Sequence, residues 1–127
     1  MATIVVVEDQ PDNLKLITTL LTLHGHQVIG LTAGEEVAAV VGAHRPAPDL
    51  VLLDIQLPGR DGFAVLEELK RLPHRPSKVV ALTAHAMPED RARAEAAGFD
   101  GYITKPIDVR SFPQEVMRYL GNPDAGV

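Results

Sequence analysis

Apolar residues recur along this chain in two alternating patterns, short unbroken runs and longer stretches with helical spacing. Residues 3 to 8, TIVVVE, are an apolar, β-branched run closed by an acid, which predicts a buried strand. Glu8-Asp9-Gln10-Pro11 ends it, and Pro11 suits the first turn of a helix. Leu14, Ile17 and Leu21 then recur at helical spacing to about Leu23. His24-Gly25-His26 stops that helix, with Gly25 as its natural C-terminal cap. Residues 27 to 31, QVIGL, predict a short second strand. Ala33-Gly34-Glu35 leads into a helix whose apolar face is Val37, Val40 and Val41, and Arg45-Pro46-Ala47-Pro48 ends it.

The second half continues the alternation. Val51 to Asp54 is an apolar run stopped by an acid, followed by Leu57-Pro58-Gly59 and Asp61-Gly62, all turn chemistry. A buried strand there puts Asp54 at its carboxyl end. Phe63, Leu66 and Leu69 mark a helix to about Arg71, and Pro73 to Pro76 reads as a loop. Lys78 to Leu82 is a fourth strand, linked through Thr83-Ala84-His85-Ala86-Met87 to a helix from about Pro88 to Ala97, closed by Gly98. That helix has almost no large apolar residues, and its inward candidates are Ala92 and Ala96. Residues 100 to 104, DGYIT, predict a fifth strand, and Lys105-Pro106-Ile107-Asp108 follows it. The last helix carries Phe112, Val116, Tyr119 and Leu120 on one face. Pro113 disfavours an earlier start, so a loose turn is expected at 108 to 111 and regular helix from about 112.

Five strand–helix units, with strands apolar on both faces, imply an α/β fold with a parallel sheet covered on both sides. Right-handed crossovers leave few topologies. The expected one is the flavodoxin-like, doubly wound (βα)5 arrangement, a five-stranded parallel sheet of order 2-1-3-4-5.

At 127 residues, the chain has the size of one domain. It has no cysteine, hence no disulfide and no thiolate metal site. No apolar run approaches the ~18 residues a membrane span needs. Met1-Ala2-Thr3 leaves no room for a signal peptide ahead of the first strand, which predicts a cytoplasmic location. A net charge of −5 argues against a nucleic-acid binder, and 4% aromatic residues leave little for base stacking.

Each candidate functional residue lies at or just past a strand end: Glu8 and Asp9 after the first, Asp54 on the third, Thr83 after the fourth, Lys105 after the fifth. In a parallel sheet these positions converge on one edge, where ligands bind. Strands 1 and 3 are neighbours in the expected order, so Glu8, Asp9 and Asp54 form an acidic cluster. Unit charges ~6 Å apart at an effective dielectric of ~20 repel by ~3 kcal/mol, a cost that a cation relieves. Oxygen ligands without His or Cys suggest Mg²⁺. Lys105 adds a point charge suited to phosphate, and Thr83 adds a hydroxyl. The set meets the needs of in-line phosphoryl transfer onto a carboxylate. Each residue also has a plainer reading: Asp9 as a helix cap, a lone Asp as a turn residue, Thr83 as a strand former, Lys105 as a solvated cation, Gly62 and Gly98 as turn residues only. Those readings must all hold together on one sheet edge.

From residue 3 to residue 120 the sequence resembles the receiver domain of bacterial two-component response regulators. The resemblance rests on the acidic pair Glu8-Asp9, LLDIQLPGRDG around Asp54, ALTAHA around Thr83 and YITKP around Lys105. It implies that Asp54 is the phosphoacceptor. It implies that Asp9, Asp54 and the backbone carbonyl of Gln56 bind Mg²⁺, with Glu8 acting through water. It also implies that Lys105 contacts the phosphoryl group, that the Lys105–Pro106 bond is cis, and that Thr83 and Tyr102 form a switch pair read out on the face of the fourth helix, fifth strand and fifth helix. Gln56 and His85 occupy positions that vary in the family and tune phosphate lifetime. The donor would be a phosphohistidine on a histidine kinase or histidine phosphotransfer protein. The downstream protein is not named by the sequence. The expected protein is a monomer and not an enzyme, beyond its own phosphorylation and slow autodephosphorylation, with no nucleic-acid or membrane partner. Residues 1–121 would be the receiver domain and 122–127 a frayed tail, with no effector domain, similar to chemotaxis and DivK-type single-domain receivers. A receiver excised from a hybrid histidine kinase is the alternative. A Mg²⁺-dependent phosphatase with an Asp nucleophile needs a second acid where Gln56 stands. A flavin or nucleotide site needs glycines where the first turn carries acids.

Overall fold

The computed structural model describes residues 2–85 and 87–120; the expected frayed tail, 122–127, lies outside them. Five parallel strands, β1 (Thr3–Val7), β2 (Gln27–Leu31), β3 (Leu50–Asp54), β4 (Lys78–Thr83) and β5 (Gly101–Thr104), form one sheet in the order β2-β1-β3-β4-β5. The helices are α1 (Pro11–Leu23), α2 (Val37–Ala43), α3 (Gly62–Lys70), α4 (Pro88–Ala97) and α5 (Phe112–Tyr119), with a short 3-10 turn at Gly34–Glu36 leading into α2. This is the flavodoxin-like arrangement that the alternation of patterns predicts.

The three central strands are apolar on both faces because both faces are covered. One core layer holds Val5, Val7, Val51, Leu53, Val65, Leu66 and Leu69 under α2 and α3. The other holds Ile4, Val6, Leu50, Leu52, Ile17, Leu21, Phe112 and Val116 under α1 and α5. Successive residues of β1 and β3 therefore feed opposite layers, as a pleated strand requires. The turn before the last helix also falls where Pro113 places it, with α5 starting at Phe112.

Two local expectations are corrected. In α4, Ala92 and Ala96 are exposed, whereas Ala94 is buried and Ala97 half-buried. The helix is phased by Gly98, which takes the left-handed conformation (φ 110°) and turns the chain so that Phe99 enters the core. Phe99 meets the Phe63 ring edge-on, with centroids 5.7 Å apart, and that contact rather than alanine periodicity decides which side faces in. Asp9 does not cap α1: the capping position is Gln10, with no side-chain hydrogen bond. The side chain of Asp9 is left available at the sheet edge.

Candidate functional site

Sheet register brings the site together. Val7 of β1 is level with Leu53 of β3, so the next residues, Glu8 and Asp54, emerge side by side. Asp54 is level with Leu82 of β4, and Thr83 with Thr104 of β5. The backbone N–H of Lys105 donates to the Thr83 carbonyl at 2.7 Å, which extends the ladder by one residue and starts the lysine side chain at the same edge. From there Lys105 reaches across β4. Its Nζ donates to Asp54 Oδ2 at 2.9 Å and to Glu8 Oε1 at 3.0 Å.

The carboxylates are held from the other side by backbone. Asp54 Oδ1 accepts from the Gln56 N–H at 2.9 Å, and Glu8 Oε2 accepts from the Gln10 N–H at 3.1 Å. Glu8 is fully buried and Asp54 nearly so, while Asp9 is half-buried. One oxygen from each of the three lies within 4.8 Å of the others. Burial pushes the Glu8 carboxyl above its ordinary value, against the pull of the Gln10 N–H and Lys105. For Lys105, burial favours the neutral amine, but its bonds to Asp54 and Glu8 together outweigh that and hold it above its ordinary value. With all groups ionised, three carboxylates face one ammonium, which leaves two negative charges without a partner. An all-oxygen donor set with that imbalance fits a hard divalent cation such as Mg²⁺.

Gly62 is more than a turn residue. A Cβ there would lie 2.7 Å from the Asp54 carbonyl oxygen and from Ile55 Cα. The Gly62 N–H donates to the Ile55 carbonyl at 2.8 Å, so the loop after β3 folds back tightly onto the strand end that carries Asp54. Asp61 then caps α3, accepting from the Ala64 N–H at 2.9 Å.

Thr83 is buried at the end of β4, and its hydroxyl oxygen accepts from the His85 N–H at 3.0 Å. Gln56 and His85 are hydrogen-bonded to each other across the mouth of the site, a pairing that sequence reading does not give. An open cleft of about 320 Å³ adjoins them, lined among others by Phe63, Thr83, Arg93 and Tyr102. Tyr102 is directed inward and 9% exposed, with its hydroxyl beside that of Thr83. Burial first, and the charge of Asp90 second, push its phenol above the ordinary value, against the pull of the Thr83 hydroxyl and the charge of Arg91. The Lys105–Pro106 peptide is cis, as is Arg45–Pro46. All the sequence-named residues except Tyr102 thus lie at one sheet edge, and Tyr102 reaches the same cleft from β5.

Lys105 joins Asp54 to Glu8, because three close carboxylates need a cation.

Residues 4–117 match the response regulator receiver domain, and the chain belongs to that family, the receivers of two-component signalling. It is 39% identical to the polar-differentiation response regulator DivK of Brucella anthropi, over 94% of this chain and 96% of that protein. It is also 39% identical to the sensor protein GacS of Pseudomonas syringae pv. syringae, over 91% of this chain but 13% of GacS. The chain thus spans about an eighth of that relative. Among solved structures, the receiver domain of a sensor histidine kinase from Pseudomonas aeruginosa PAO1 superposes with a TM-score of 0.83 at 29% identity, covering 95% of this chain and 98% of that one. That structure has a magnesium ion coordinated in its active site cleft. Receiver domains take phosphoryl groups from histidine kinases and bind downstream partners. Among the described residues, no helix is long and apolar enough to cross a membrane.

Proposed function

We propose that the protein is a phosphorylation-controlled switch in which Asp54 accepts a phosphoryl group from a phosphohistidine of a histidine kinase or phosphotransfer protein. An Asp54 carboxylate oxygen attacks phosphorus in line, the P–N bond breaks, and the departing imidazole nitrogen keeps the electron pair and takes up a proton. Asp9, Asp54 and the Gln56 carbonyl would hold Mg²⁺, with Glu8 acting through water. When bound, the ion supplies positive charge to the phosphoryl oxygens. Lys105 exchanges its bond to Asp54 for one to a phosphoryl oxygen, and Thr83 gives up its local role to donate a hydrogen bond there. The Gln56–His85 pair limits the approach of water and so sets how long the acyl phosphate lasts.

Readout runs from Thr83 to Tyr102 and onto the face of α4, β5 and α5. Two features support this. Both side chains border one cleft, and α4 buries only Ala94, so little apolar area opposes its displacement. The protein acts as a cytoplasmic monomer on a downstream protein and turns over no separate substrate.

The observation that carries the reading is the buried Asp54 carboxylate, bonded to Lys105 at 2.9 Å inside a three-carboxylate cluster. Incubation with acetyl phosphate and Mg²⁺ tests it. A receiver acquires one hydroxylamine-labile acyl phosphate and loses it slowly. Repeated hydrolysis of phosphomonoesters without an acyl phosphate would instead identify an aspartate-dependent phosphatase.

A further inference from the structure

Two side-chain contacts tie α4, which buries only Ala94, to α3. At its far end, Lys70 in the last turn of α3 donates from Nζ to the Ala97 carbonyl. Gly98 leaves room for that lysine, because a Cβ there would lie 2.7 Å from its Nζ. Nearer the site, the Arg93 guanidinium sits over the Phe63 ring, 4.3 Å from its centroid. Arg93 is exposed and makes no salt bridge among the described residues, although Asp61 and Asp90 border the same cleft. Its guanidinium therefore lies on a ring and not on a carboxylate, a stacking that the planar cation makes well.

Phe63 is placed by the loop that carries Asp54. It follows Gly62 directly, and a Cβ on Gly62 would lie 2.7 Å from the Asp54 carbonyl oxygen. The Gly62 N–H is also bonded to the Ile55 carbonyl at 2.8 Å. On its other side the Phe63 ring meets Phe99 edge-on. A shift of the peptide after Asp54 thus passes to the ring, and through Arg93 to the middle of α4. That route uses neither Thr83 nor Tyr102. Lys70, at the opposite end of α3, is not on it.

We propose that Arg93 is a positioning residue of the switch: through the Phe63 ring it clamps α4 to the loop that carries Asp54, and so fixes the resting place of the helix. The inference rests on the switch reading above for its purpose. Its test uses unphosphorylated protein in chelator, so its failure would leave the chemistry of Asp54 untouched, and a failure of that chemistry would leave the clamp standing.

Amide hydrogen exchange over residues 92 to 97 is compared in the wild type, Arg93→Ala, Phe63→Leu, the double variant and Arg93→Lys. The clamp predicts severalfold faster exchange in Arg93→Ala, exchange at least as fast in Phe63→Leu, and no further rise when the two are combined. Arg93→Lys, which keeps a cation over the ring, should recover most of the protection. Amides of β1 and β3 should exchange as in the wild type, since the opening is local. The direction is diagnostic. Alanine is the better helix former, so removing an arginine that only decorates the helix would leave exchange unchanged or slow it. Gly62→Ala, which forces the loop away from the Asp54 carbonyl, should quicken the same amides when Arg93 is present and add nothing in Arg93→Ala. Wild-type exchange in Arg93→Ala would overturn the proposal. So would an equal acceleration by Arg93→Ala with Phe63 or Leu at position 63, or by Gly62→Ala with and without Arg93.

Discussion

Replacing Lys105 with alanine exposes the electrostatic cost on which the site is built. The ammonium bridges Asp54 at 2.9 Å and Glu8 at 3.0 Å, and hydrogen bonds to charged groups contribute about 1.5–3 kcal/mol each. Without it, carboxylate oxygens within 4.8 Å of one another repel pairwise by roughly 3.5 kcal/mol at an effective dielectric of ~20. Removing one partner of a buried ion pair typically costs ~3–5 kcal/mol. The lysine side chain is 15% exposed and Asp9 is half-buried, so water reaches the cluster and the low end of that range applies, about 3 kcal/mol. For a domain of this size that is a fall of roughly 10 °C in melting temperature. The assay is thermal and urea unfolding at pH 7, with chelator and with millimolar Mg²⁺. Lys105→Ala should be the less stable protein in chelator and should gain more from Mg²⁺ than the wild type, because the ion then relieves the whole repulsion. Equal stability in chelator, or equal gains from Mg²⁺, would refute this electrostatic account.

Three further outcomes follow from the same geometry. Mg²⁺ should stabilise the wild type by about 1.4 kcal/mol at ~10 Kd, and Asp9→Ala should lose that shift in a melting experiment; equal shifts would place the ion elsewhere. Gly62→Ala would push a methyl into backbone at 2.7 Å and should cost ~1–3 kcal/mol in urea unfolding, with a wild-type midpoint contradicting the close approach. Burial raises Glu8 above its ordinary 4.5, so between that pH and the raised native value the folded state binds the more protons and stability falls as pH rises. Glu8→Gln should flatten that limb of the stability–pH curve measured in chelator, and an unchanged slope would assign it to another group.

The sheet order was legible because five apolar runs alternate with helical spacing and parallel crossovers leave few alternatives. The site was legible for a related reason: Glu8, Asp54, Thr83 and Lys105 all sit at strand ends, and strand ends are the positions whose neighbours topology predicts. What escaped sequence reading depends on side-chain reach and local phase. An alanine-rich helix offers no contrast between its faces, so the inward turn of Ala94 rather than Ala92 or Ala96 is set from outside, by Gly98 and Phe99. Phe99 itself fell between a predicted helix stop and a predicted strand start. The Gln56–His85 contact joins two loops 29 residues apart, and no spacing rule reports it. The tight fold-back at Gly62 has no positive φ to signal it; the only clue was a glycine where Asp61 begins a helix.

The central claim is that Asp54 is the one acceptor of a phosphoryl group, and intact-mass spectrometry tests it most directly. Wild type and Asp54→Asn, both folded by circular dichroism, are incubated with a phosphorylated histidine donor and Mg²⁺. The account predicts a single added phosphoryl group on the wild type, removed by hydroxylamine, and an unmodified mass for Asp54→Asn. A hydroxylamine-labile phosphoryl group retained on Asp54→Asn would contradict it.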